Sequence, residues 1–92
     1  RPAVVLSHDG LNRNARLAVV CPITGARTAP RFPSEVVMPN MPGILTPGLL
    51  YAHQIRTVST DRVLRIRGPL KDPVLQREII TAVLGVLDIP IE

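Results

Sequence analysis

The 92-residue chain carries eleven Lys and Arg against seven Asp and Glu, a formal +4, and is 46% apolar but only 2% aromatic. A chain of this length makes one domain, burying only about 60 to 65% of its unfolded surface, so a partner subunit is expected to help stabilise it. A single cysteine excludes an internal disulfide and an all-cysteine zinc site, and the apolar runs fall short of the ~18 to 20 residues of a membrane span.

Ala3 to Leu6 (AVVL) and Leu17 to Ile23 (LAVVCPI) are continuous apolar runs and predict two strands buried on both faces. The connector, Ser7 to Arg16, is rich in turn-forming residues and predicts a polar loop. Glu35 to Met38 (EVVM) predicts a third strand. Pro39 to Gly48 (PNMPGILTPG) predicts an irregular surface loop, because its prolines lack the backbone donor that regular structure needs. Leu49 to Val58 predicts a fourth strand, Ser59 to Asp61 a turn, and Val63 to Ile66 a short fifth strand. The last element has the clearest signals. Asp72 is a good N-cap, Pro73 suits the first helical position, and Leu75, Ile79, Ala82, Val83, Val86 and Leu87 recur at helical spacing. An amphipathic helix from Pro73 to Leu87 is therefore expected to pack on a sheet, and residues 1–92 read as one mainly β domain with a C-terminal helix.

Ten of the eleven cations are Arg, whose guanidinium fork grips phosphate bidentately, so the charge points towards a polyanion. An ordinary basic surface accounts for it equally well. Cys21, inside an apolar run, reads as a buried small hydrophobe, which suits a reducing cytoplasm. His8, His53 and one cysteine leave no convincing set of metal ligands, and no glycine pattern of a nucleotide-binding loop is present. The consecutive Ser7, His8 and Asp9 are no catalytic triad, since neighbours in extended chain point to opposite sides. What remains is a polar set at loop and strand ends: Arg1, Ser7, Asn12, Thr24, Arg27, Gln54 and Arg56. If the first two strands lie side by side, Arg1 and Thr24 meet at one sheet end, a cation and a hydroxyl suited to a phosphodiester. A solvated terminus and a turn threonine are the plain alternatives.

The strings RPAVVLS, NRNARLAVVCPITG, FPSEVVMP, LLYAHQIRTVS and RIRGPLKDPVLQREIITAVLGVLD, in this order, resemble the MazF/PemK (CcdB-like) toxin–antitoxin ribonucleases over nearly the whole chain. The most specific parts are Arg-Pro before a Val-Val-Leu strand, Pro-Ile-Thr closing the next, and Ala52 to Arg56. The resemblance implies a small SH3-like barrel with a C-terminal helix, acting in the cytoplasm as a homodimer. It also implies cleavage of single-stranded RNA without metal or cofactor, and silencing by a cognate antitoxin. It assigns catalysis to Arg1 and Thr24; for such an enzyme the polar loop groups Ser7, Asn12, His53 and Gln54, with Arg27 and Arg56, are the expected RNA contacts. In two respects the chain departs from the pattern: a strand and loop usually precede the Arg-Pro, and the position of His53 is commonly acidic. Two other readings stand beside this one, a CcdB-like toxin that inhibits a protein such as a topoisomerase, DNA gyrase for instance, and a non-catalytic RNA-binding barrel.

Overall fold

One strand, β2 (Leu17–Thr24), organises the molecule, because it is long enough to pair with three others. In this computed structural model, residues 2–25, 27, 29–39, 48–63 and 68–87 are described. On one edge of β2 lies β1 (Ala3–Val5), antiparallel, with Val4 opposite Cys21. On the other lie β4 (Gly48–Tyr51) and β5 (Arg56–Ser59), also antiparallel. The fifth strand, β3 (Glu35–Met38), pairs with the outer side of β4, so the sheet runs β1-β2-β4-β3 with β5 continuing the β4 edge. Helix α2 (Pro73–Leu87) covers one face. The expectation of a mainly β fold with a C-terminal helix holds, whereas among the described residues the sheet is open between β1 and β3 and forms no closed barrel.

The expected strand Leu49 to Val58 is divided in two by a 3₁₀ turn, Ala52–Gln54. Between Val20 and Ile23 the central strand advances three residues, while its partner runs six, from Arg56 back to Leu50. The surplus is looped out as that turn. Pro22 gives the physical reason. The Leu6 N–H donates to Val19 O and the Ile23 N–H to Pro2 O, so the odd residues of β2 hydrogen-bond to β1. Alternation then turns the Pro22 nitrogen, which has no hydrogen to give, towards the β4–β5 edge, where the partner loops away.

The expected loop Ser7 to Arg16 holds a short helix, α1 (Asp9–Asn14). His8 caps it, its Nδ1 accepting from the Leu11 N–H at 3.3 Å, and Asp9 and Arg13 suit its two dipole ends. The chain leaves α1 through Arg16 at φ 56, a left-handed residue whose carbonyl accepts from the Thr60 N–H at 3.0 Å. β1 is not buried on both faces: it is an edge strand, and Ala3 and Val5 are exposed. Val63 follows a second 3₁₀ turn, Thr60–Arg62, and lies outside any strand; the rest of the expected Val63 to Ile66 strand falls outside the described residues. Gly48, expected to end the irregular loop, opens β4, and that loop too lies otherwise almost wholly outside the described residues.

α2 forms where its local signals place it. Asp72 Oδ1 accepts from the Val74 and Leu75 N–H groups at 3.0 and 3.3 Å. Leu75, Ile79 and Ala82 then pack on Cys21, Ile23, Val36, Met38, Leu50 and Ala52. Burial pushes the Cys21 thiol above its ordinary value, which leaves it the small hydrophobe expected.

Candidate functional site

The polar residues singled out in the sequence fall on different parts of this frame. At the far end of β2, Thr24 is half-buried and paired across the ladder with Leu49. The Ile23 N–H donates to the carbonyl of Pro2 at 3.0 Å, so the start of β1 and the end of β2 do lie side by side. Arg1, the residue before Pro2, lies outside the described residues.

Next along the same edge comes the 3₁₀ turn opposite Cys21 and Pro22, carrying His53 and Gln54, both exposed. His53 is held from two sides. Its Nδ1 lies 3.0 Å from Ser34 Oγ, and its ring stacks on Tyr51 with centroids 4.9 Å apart and planes tilted by 33°. The nitrogen at the far end of the ring, Nε2, is thereby given a fixed direction. Arg56, the first residue of β5, is exposed opposite Val20. Thr24, His53, Gln54 and Arg56 are thus strung along one edge of the central strand.

Ser7 and Asn12 lie elsewhere. Ser7 Oγ donates to Asn12 Oδ1 at 2.5 Å and accepts from the Val19 N–H at 3.0 Å, while Asn12 Nδ2 donates to the Ser7 carbonyl at 3.3 Å. Val19 stands five residues before Thr24, about 17 Å at strand rise, and these bonds join α1 to the sheet. Arg27 is engaged as well, its guanidinium donating to the carboxylate of Glu35. Glu35 is the one buried charged side chain among the described residues. The Arg31 N–H, foremost, lowers its carboxyl below the ordinary glutamate value; burial opposes this, and Arg27 and the Phe32 N–H add to the lowering.

Sequence reasoning did not find Ser34 or Tyr51. Ser34 stands 19 residues from His53 and meets it only because β3 pairs with β4, the Ala52 N–H donating to the Ser34 carbonyl at 2.9 Å. Among the described residues no group of three or more His, Cys, Asp or Glu side chains is placed to hold a metal ion, and no helix is long and apolar enough to cross a membrane.

An open antiparallel sheet backed by one helix, with exposed polar side chains along its central edge, defines a small mainly β domain with a C-terminal helix. The chain belongs to the PemK-like, MazF-like toxins of type II toxin–antitoxin systems, whose family model matches residues 1–87. Solved structures agree with this. An endoribonuclease from a mycobacterial species is similar at TM-score 0.79 and 25% identity, over 100% of this chain and 84% of that one. A MazE–MazF complex from Deinococcus radiodurans is similar at TM-score 0.81 and 25% identity, over 98% and 83%. MazF from the same organism is similar at TM-score 0.73 and 28% identity, over 97% and 77%. No curated protein sequence matches the chain.

Proposed function

We propose that the chain is the toxin ribonuclease of such a system, cutting single-stranded RNA at short sequences with the RNA's own 2′-OH as nucleophile. The observation that carries this reading is the bond between the Ile23 N–H and the Pro2 carbonyl, which joins the strand start next to Arg1 to the strand end at Thr24. The family and its endoribonuclease neighbour support it.

In this reaction the 2′-OH gives up its proton to solvent as its oxygen attacks the adjacent phosphorus, the bond from phosphorus to the 5′-oxygen breaks, and the departing oxygen takes up a proton from solvent. The products are a 2′,3′-cyclic phosphate and a 5′-OH. The phosphorane-like transition state gathers charge on its non-bridging oxygens. The Arg1 guanidinium, a permanent cation and a poor proton carrier, stabilises that charge, and the Thr24 hydroxyl donates to the same phosphate. No cofactor is needed, because the nucleophile belongs to the RNA, the charge is met by Arg1 and Thr24, and water carries the protons. Gln54, Arg56 and His53 contact the RNA along the β2 edge. Ser7 and Asn12 sit where a longer strand would reach, and Arg27 acts through the loop that it holds.

The working unit is a homodimer in the cytoplasm. Ile80 and Leu84 on α2 line an open groove of about 390 Å³ against β1, and Leu87, also exposed, continues their stripe along the helix, an apolar surface that suits a second copy. A cognate antitoxin, of the kind the MazE–MazF neighbours contain, covers the same basic edge and competes with RNA.

The test is incubation of the protein with a mixed RNA pool, with and without EDTA, followed by mapping of the new 5′ ends. Cuts at one short motif that persist in EDTA and vanish when a single deoxynucleotide stands 5′ of the scissile phosphate are the expected result. Continued cutting at the deoxy site would sink the mechanism, and an uncut pool the function.

A further inference from the structure

Phe32, the chain's one phenylalanine, stands 61% exposed. It sits in a loop whose geometry is held by a buried charge. The Glu35 carboxylate accepts from the Arg31 N–H at 2.6 Å, from the Phe32 N–H at 3.3 Å and from the Arg27 guanidinium, and the Glu35 N–H donates back to the Phe32 carbonyl at 3.0 Å. With its side chain only 3% exposed, Glu35 would be unfavourable there without all of these partners. What this clamp fixes is the backbone that carries Phe32, next in the chain to the exposed Arg31, with the ring turned out to solvent.

The neighbourhood of that ring is polar. Phe32 lies two residues, at most about 7 Å, from Ser34, which holds His53. Tyr51, the only other aromatic of the FWY class, pairs with Glu35 across the ladder and stacks on His53. The loop before β3 that carries Phe32, the end of β4 that carries Tyr51 and the turn that carries His53 thus meet at the Ser34–Ala52 and Ser34–His53 bonds. An exposed flat apolar face in the loop that leads through Ser34 to His53 suits a ligand that is itself flat and apolar on its faces and polar at its edges. An unpaired nucleobase has that form, and an apolar peptide does not.

We propose that Phe32 is the stacking platform for one unpaired base of the RNA, that His53 reads the edge of this base, and that the Arg27–Glu35 pair keeps the platform in position. The inference rests on the ribonuclease reading and adds to it a base-selecting residue. Arg27 and Glu35 are positioning residues that touch no RNA.

Wild type, Phe32→Ala, Phe32→Leu and Phe32→Tyr are compared in two assays, after thermal melts of each to verify the fold. The first is the cleavage profile on the mixed RNA pool. The second is affinity for a single-stranded RNA made uncleavable by a 2′-deoxynucleotide at the cut site, with 2-aminopurine at successive positions. Phe32→Ala is expected to lose about five- to a hundred-fold in affinity, to lose fluorescence quenching at one position, and to relax the base preference there. Phe32→Tyr keeps all three properties, and Phe32→Leu, apolar but without a π face, behaves like Phe32→Ala. Wild-type affinity and profile in Phe32→Ala, or a Phe32→Leu protein equal to wild type, would overturn the platform while leaving the ribonuclease reading intact; the second result would mark an apolar protein contact. A wild-type protein that neither cuts nor binds the pool would remove the functional reading, and the platform with it.

Discussion

Gly48 lies so close to Thr24 that a β-carbon at position 48 would come within 1.9 Å of the Thr24 carbonyl oxygen. That oxygen is backbone and belongs to a strand end already fixed by the Thr24–Leu49 pairing. Gly48→Ala should therefore displace the residue proposed for catalysis without altering any group that meets RNA. A stability loss of about 1 to 3 kcal/mol, typical of overpacking, is expected, together with a fall in single-turnover cleavage as large as that of Thr24→Ala. Wild-type cleavage in the folded variant would mean that the strand end yields without consequence.

Arg1 and Thr24 should differ in weight. Removing a preorganised charged donor from the transition state should cost about 3 to 4 kcal/mol, a hundred- to a thousand-fold in rate, so Arg1→Ala should nearly abolish cutting and Arg1→Lys recover little. Thr24→Ala removes one neutral hydrogen bond and should cost about 1 to 2 kcal/mol. Single-turnover rates on one cleavable oligonucleotide decide it, and a near-normal Arg1→Ala would assign the arginine to solvent.

Glu35 gives the fold a pH dependence of known sign. Its carboxyl is lowered in the folded protein, so its contribution is complete above the unfolded value, about 4.3, and fades as the pH falls through the lower folded value. Glu35→Gln should be less stable than wild type at pH 7, with the gap closing as the pH drops below about 4. Parallel chemical-denaturation curves from pH 7 to pH 3 measure it. A gap that stays constant across that range would assign the loss to packing rather than to the carboxylate.

The exposed stripe on α2 should determine the oligomeric state. Leu84, 62% exposed, stands between Ile80 and Leu87. A charge there, as in Leu84→Glu, should turn a dimer into a 10.0 kDa monomer in sedimentation at micromolar concentration while changing the monomer's fold little. A wild-type protein that already sediments as a monomer would refute the pairing.

Elements marked by common local signals were legible in the chain, and those set by uncommon caps or by residues of another strand were not. α2 was readable from Asp72 and Pro73 because cap and first turn lie next to each other in sequence. The meeting of the β1 start with the β2 end was readable from two apolar runs and a short connector. α1 was missed because its cap is a histidine side chain, an uncommon choice, and because a left-handed arginine rather than a glycine ends it. The division of β4 from β5 was missed because its cause, Pro22, belongs to another strand. Arg27 looked like a free cation for RNA. Its carboxylate partner is eight residues away and reads, in sequence, as the first residue of a strand.

The three residues Ala52–Gln54 also act as a parity device. Side chains alternate between the two faces of a strand, so the number of residues in the turn decides which face of β5 each of its side chains occupies. With three in the turn, Arg56 stands opposite Val20, and Ile55 is left to pack on the core. One residue more or fewer would exchange the faces of Arg56 and Thr57 and put the guanidinium on the side of the sheet that Val19 shares with Cys21 and Ile23. Natural or engineered length changes in this turn should therefore be tolerated in steps of two residues and rejected in steps of one, a rule of arithmetic imposed on the sequence by a single proline across the sheet.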